Sequence, residues 1–174
     1  MAVPDAVIRP AVPADLQAVA EIFAYYVSHT TITFEQTPPA VAEWQRRLDD
    51  LAGQGLPFLV AELDGDVAGY AYAGPWRPKP AYRHTVEDSI YLAPDQRGRG
   101  LGGALLDALL TRCARAGMRQ MIAVIADTGS PASTALHKRF GFAHAGRLNS
   151  VGYKHGRWID TTLMQRALTT DHNG

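Results

Sequence analysis

Apolar residues recur along the chain with two spacings, about every second position and about every third to fourth, and the switches between them mark out the elements. Val7–Val12 is a short extended segment interrupted by Pro10, which suits an edge strand. Asp15 stands as the cap of a helix reaching about His29, with Leu16, Val19, Ala20, Phe23 and Val27 at helical spacing. The polar, β-branched stretch Ser28–Thr37 is a loop that runs into Pro38-Pro39. A second helix follows, with Val41, Trp44, Leu48 and Leu51 on one face, and ends at Gly53 or Gly55. Phe58–Leu63 and Val67–Ala73 flank Asp64-Gly65-Asp66 as the arms of a hairpin. Prolines 75, 78 and 80 break the sheet, and Thr85–Ala93 is the next strand. A long amphipathic helix then carries Leu105, Leu109, Leu110 and Cys113 on one face and stops at Gly117. Met121–Ala126 is a continuous apolar run, as in a strand covered on both faces. The loop Asp127–Pro131, with Ser130 or Asp127 as cap, leads into a helix Ala132–Phe140 closed by Gly141. Ala143–Val151 and Trp158–Ala167 are strands around a His155-Gly156 turn, and Thr169–Gly174 is expected to fray.

This β-α-α-β-β-β-α-β-α-β-β order calls for a mixed α/β (α+β) fold, a mixed central sheet flanked by helices on both faces. At 174 residues the chain forms one domain, with its core at about 7–168. Seventeen basic and seventeen acidic residues cancel, which gives no basic footprint for nucleic acid or an anionic membrane. There is no run of 18 apolar residues, and MAVPDAVIRP has no basic stretch followed by an apolar core. A soluble cytoplasmic protein is the expectation. The single cysteine, Cys113, falls on the apolar face of its helix and reads as a core thiol.

The chemistry is concentrated in Asp88–Ala116. The short run Ile90, Tyr91, Leu92 stops at Pro94, a Gly-rich basic turn follows (Arg97-Gly98-Arg99-Gly100-Leu101-Gly102-Gly103), and the long helix begins. Glycines let the backbone approach an anion, free N–H groups at a helix start point at it, and two arginines add charge. Several early glycines would weaken a helix that had no use for close approach. A P-loop is excluded, because no Lys-Ser or Lys-Thr follows the glycines. The dinucleotide fingerprint fits poorly, with neither a first strand near the chain start nor the later acidic residue.

Arg97-x-x-Gly100-x-Gly102 resembles the pyrophosphate loop of the GNAT superfamily of acetyl-CoA-dependent N-acetyltransferases, and the element order is that of their fold. Four further segments resemble the phosphinothricin and methionine sulfoximine N-acetyltransferases. These are His29–Glu35, Gly74–Leu92, Leu136–Phe142 and Gly152–Asp160, so the likeness runs from about Ile8 to Leu168. It implies acetyl-CoA as co-substrate, a small amino-acid-like amine as acceptor, direct transfer, no metal, and a homodimer with its sites near the subunit interface. Ile90, Tyr91 and Leu92 would pair with the pantetheine amides as an added strand does, and the Leu92 N–H would face the oxyanion. Arg97–Gly103 would hold the pyrophosphate. Ser130 and Ser133 would touch the cofactor arm, Ser130 standing where the subfamily commonly has Asn, in a loop one residue longer.

Glu87 falls where the subfamily has its acidic residue, and an ammonium must lose a proton before it attacks a thioester. A half-exposed strand carboxylate is the competing reading. Asp88 should face the other side of the strand. His137 matches the subfamily's helix histidine and either protonates the leaving thiolate or positions the cofactor. Arg77 and Arg83 can grip an acid group, with Phe34, Trp76, Asp88 and Ser89 as further acceptor contacts and Tyr82 as a wall. The rival readings are acetylation of a protein or peptide N-terminus, acetylation of a polyamine or aminoglycoside, acetyl-CoA sensing without catalysis, and a purely structural or interaction role, which would not need the glycine turn.

Overall fold

The computed structural model describes residues 5–169. The expected fraying of residues 170–174 lies outside them. The elements are β1 (Ala6–Pro10), α1 (Leu16–His29), α2 (Val41–Gly53), β2 (Phe58–Leu63), β3 (Asp66–Pro75), β4 (Thr85–Leu92), α3 (Leu101–Arg115), β5 (Gln120–Ala126), α4 (Ala132–Arg139), β6 (Ala143–Lys154) and β7 (Arg157–Ala167). The strands form one sheet in the order β1-β2-β3-β4-β5-β7-β6. Neighbours are antiparallel except β4 and β5, so the sheet is mixed, as the pattern predicted. No helix among the described residues is long and apolar enough to cross a membrane.

Strand alternation gives the two faces different cores. On one face Tyr70, Tyr72, Phe58 and Tyr91 pack edge-on or stacked with Phe23 of α1 and Trp44 of α2. The other face receives α3, whose Leu101, Leu105, Leu106, Leu109 and Cys113 are fully buried. Gly69 lies beneath the Leu92 side chain of β4, 2.7 Å from where a Cβ would stand, with Leu105 of α3 at 3.4 Å.

Three local expectations change. The sheet does not break at Gly74, because β3 runs on through Pro75. Trp76 N–H bonds to Thr85 C=O, which makes Pro75 and Val86 a non-hydrogen-bonded pair, so the missing proline N–H costs no ladder bond. Asp15 does not cap α1 with its side chain. Its buried carboxylate instead accepts bonds from the two terminal Arg9 guanidinium nitrogens, at 2.8 and 2.9 Å, and from the Val12 N–H at 2.8 Å. This tethers β1 to the first turn, and the Arg9 bonds hold the carboxyl below its ordinary range. Finally, β6 continues past Val151 to Lys154 through a shift in register between Leu148 and Gly152.

Candidate active site

The sheet parts in its middle. β4 and β5 pair only over Thr85–Glu87 and Gln120–Ile122. Beyond that point β4 stays with β3 as far as Leu92, and β5 stays with β7 as far as Ala126. A cleft of about 380 Å³ opens between them, walled by residues 87–92 on one side and 123–126 on the other. The bonds Trp76 N–H to Thr85 C=O and Ala93 N–H to Ala68 C=O fix the ladder phase, so β4's odd-numbered residues bond to β3. The backbone groups of Asp88, Ile90 and Leu92 therefore turn toward the gap. The Leu92 carbonyl accepts the hydroxyl of buried Tyr26, which lines the same cleft.

The basic turn stands at the open end. Gly98 and Gly100 take φ of +78° and +83°, a conformation that disfavours a side chain. The first bond of α3 is Ala104 N–H to Gly100 C=O, which leaves the N–H groups of Leu101, Gly102 and Gly103 without helical partners. Gly102 faces α4 and β4, where a Cβ would make ordinary contacts at 3.5 Å with Leu136 and 3.8 Å with Leu92. Arg97 and Gly102 reach the cleft wall, as do Ser130 and Ser133. Arg99 is instead bonded to Gln96 at 2.7 Å, and the Leu101 side chain belongs to the core. Before α4, Asp127 accepts the Gly129 N–H and Ser130 accepts the Ala132 N–H. These are two turn bonds in place of a side-chain cap.

Glu87 and Asp88 face opposite sides of the sheet. Glu87 shares its face with Tyr91, which packs on α1, and it lies at the last paired position before the strands part. Burial pushes its carboxyl above the usual range and the charge of Asp88 adds to this, while Arg77 opposes it. Asp88 faces α4 and meets His137 Nε2 at 2.6 Å, with both side chains buried. His137 Nδ1 lies 2.7 Å from the Ser133 carbonyl, so both ring nitrogens face acceptors, an arrangement that favours the charged ring. Desolvation lowers the His137 pKa, but the Asp88 hydrogen bond and charge and the Ser133 carbonyl outweigh it, and the net shift is upward. A histidine whose folded-state pKa is raised contributes stability that is complete below the unfolded value of about 6.5 and is lost as pH rises through the folded value. The melting temperature is therefore expected to fall across that interval, and Asp88→Asn should flatten the fall. Thermal unfolding followed over a pH series checks this.

The expected acceptor contacts divide. Glu87, Asp88 and Ser89 line the cleft, whereas Phe34, Trp76, Arg77 and Arg83 lie outside its wall. Arg77 stacks on Trp76 at 4.3 Å, Arg83 bonds to Pro80 C=O, and Phe34 rests against Gly152. Tyr26, Ile32, Thr128 and the 123–126 edge line the cleft without having been singled out from sequence. Tyr26 could have been flagged, because it shares the core face of α1 with Phe23 and carries a hydroxyl that needs a partner.

A mixed sheet parted between two parallel strands, with a glycine turn and a helix start at the parting, leaves a free strand edge beside unpartnered helix N–H groups. Comparison with known proteins places this architecture in a family. The acetyltransferase (GNAT) domain profile matches residues 8–163. A phosphinothricin N-acetyltransferase of Alcaligenes faecalis is 51% identical over 154 residues, 88% of this chain and 78% of the relative. An L-methionine sulfoximine/L-methionine sulfone acetyltransferase of Pseudomonas aeruginosa is 45% identical, covering 91% of this chain and 92% of its own. A crystal structure of a GNAT superfamily phosphinothricin acetyltransferase from Sinorhizobium meliloti in complex with acetyl-CoA superimposes with a TM-score of 0.90. It is 46% identical and covers 98% of this chain and 95% of its own. The chain belongs to the GNAT acetyltransferase family.

Proposed function

We propose that the protein moves the acetyl group of acetyl-CoA directly to the α-amine of a small amino-acid-like acceptor, of the class of phosphinothricin, methionine sulfoximine or a related glutamate analogue. The observation that carries this reading is Glu87, a carboxylate of raised pKa at the point where β4 and β5 part. In this reading the pantetheine arm lies along the free edge of β4 and the pyrophosphate meets the N–H groups of Leu101–Gly103. Arg97 supplies charge at the mouth of the cleft. Glu87 takes one proton from the ammonium, and the freed amine attacks the thioester carbonyl. The N–H of Leu92 faces the oxyanion as the tetrahedral centre forms. One of the two protons left on the nitrogen goes to the thiolate as the C–S bond breaks, giving a secondary amide that keeps the other, and free thiol. Both ring nitrogens of His137 are engaged by protein groups, which favours its positioning role, holding α4 and Ser133 against β4. Names among the relatives support the acceptor class.

Arg77 and Arg83 remain the proposed anchors for the acid groups, both exposed and Arg77 near enough to Glu87 to act on its carboxyl. A homodimer would place such exposed groups at the rim of a shared site, and the apolar Leu148, Val151 and Trp158 exposed on β6 and β7 are surfaces a second copy could cover. Losing one charge-assisted bond to a bound anion costs about 1.5–3 kcal/mol. Arg77→Ala and Arg83→Ala are therefore expected to raise the KM for phosphinothricin or methionine sulfoximine roughly tenfold or more, with a smaller change in kcat. A decarboxylated amine serves as control. If it is acetylated as well as the acid, or if neither arginine matters, the acceptor belongs to another class.

A further inference from the structure

The loop between α1 and α2 crosses the Glu87 side of the cleft, where Ile32 forms part of the wall and also borders a neighbouring recess. Three contacts tie this loop to the far end of β6. Lys154 Nζ donates to the Thr33 carbonyl at 2.7 Å, and Lys154 is only 3% exposed. The Phe34 ring lies on Gly152 so closely that a Cβ there would stand 2.5 Å from it. Gln36 Nε2 reaches the Tyr153 carbonyl at 3.5 Å. Taking an ammonium out of water is costly, and a methionine of similar length would fill the same space without that cost. Folding alone therefore gives no reason for a cation here.

We propose that Lys154 is a positioning residue, latching the α1–α2 loop to the tip of the β6–β7 hairpin and so fixing the wall that meets the acceptor amine. The inference rests on the acceptor lying on the Glu87 side, as in the function proposed above. Through Thr33 the latch holds Ile32 in the cleft wall, and Gly152 sets the depth at which Phe34 seats. Burial lowers the Lys154 pKa, with Glu35 opposing, and one carbonyl offsets only part of the lost hydration. The hairpin thus acts on acceptor binding without touching the acceptor.

Lys154→Met is expected to keep or raise the melting temperature while raising the acceptor KM about tenfold and leaving cofactor affinity within about twofold. Gly152→Ala, which must displace Phe34, should give the same split, and the double variant should fall short of the sum of the two. Hydrogen exchange over residues 30–36 reads the latch without any acceptor and should accelerate in Lys154→Met. If exchange is unchanged, or if KM rises for both substrates in parallel, the latch does not exist. A wild-type enzyme that ignores amino-acid acceptors would count against the proposed function instead, and the exchange measurement would still decide the latch.

Discussion

Replacing Glu87 by glutamine is expected to lower turnover by roughly 10²–10⁴-fold, the usual range for losing a general base. Glutamine keeps the shape and can still hydrogen-bond, but it cannot take the ammonium proton. The affinity for acetyl-CoA should hardly change, because Glu87 sits at the closed end of the gap and the glycine turn proposed to hold the pyrophosphate lies at the open end. The wild-type pH profile carries a second signature. Burial and the Asp88 charge raise the Glu87 carboxyl, so kcat/KM should fall on the acid side at a pH above the ordinary carboxylate range. That acid limb should vanish in Glu87→Gln. A rate within a few-fold of wild type would make Glu87 a structural residue and leave the base to water or another group.

Gly100→Glu is expected to abolish cofactor binding. Gly100 is the residue before α3 and takes φ +83°, so any side chain there is strained by about 1–2 kcal/mol. A carboxylate would also place negative charge beside the N–H groups that the pyrophosphate is proposed to use. Gly100→Ala separates the two effects, since it carries the strain without the charge and should bind more weakly yet measurably. Calorimetric titration with CoA checks both variants. Unchanged affinity in Gly100→Glu would remove the phosphate-binding role of the turn.

Much of this architecture was legible in the sequence because its signals are local. The Asp64-Gly65 turn, with φ of +52° and +85°, and the glycines at 98 and 100 announce their backbone shape directly. The apolar spacing in α3 announced Leu105, Leu109, Leu110 and Cys113 of its buried face, while Leu101 and Leu106, buried as well, were not placed on it. Partners far apart in sequence were not legible. Asp88 and His137 are 49 residues apart and Lys154 and Thr33 are 121 apart, and neither member of a pair announces the other. Asp15 reads as a helix cap because local chemistry favours one. The Arg9 fork that claims it depends on how β1 enters the sheet. The departure of β4 from β5 was likewise invisible, since no residue in either strand marks where pairing stops and only the register shows it.

The central claim is that this cleft transfers acetyl from acetyl-CoA to a free α-amine. It is tested most directly by incubating the purified protein with acetyl-CoA and phosphinothricin or methionine sulfoximine, then quantifying free thiol and N-acetylated amine in the same sample. The expected result is saturable release of one thiol per N-acetyl product, lost in Glu87→Gln. Thiol release no faster than spontaneous hydrolysis with every α-amino acid tried, from a protein that still binds CoA, would contradict it.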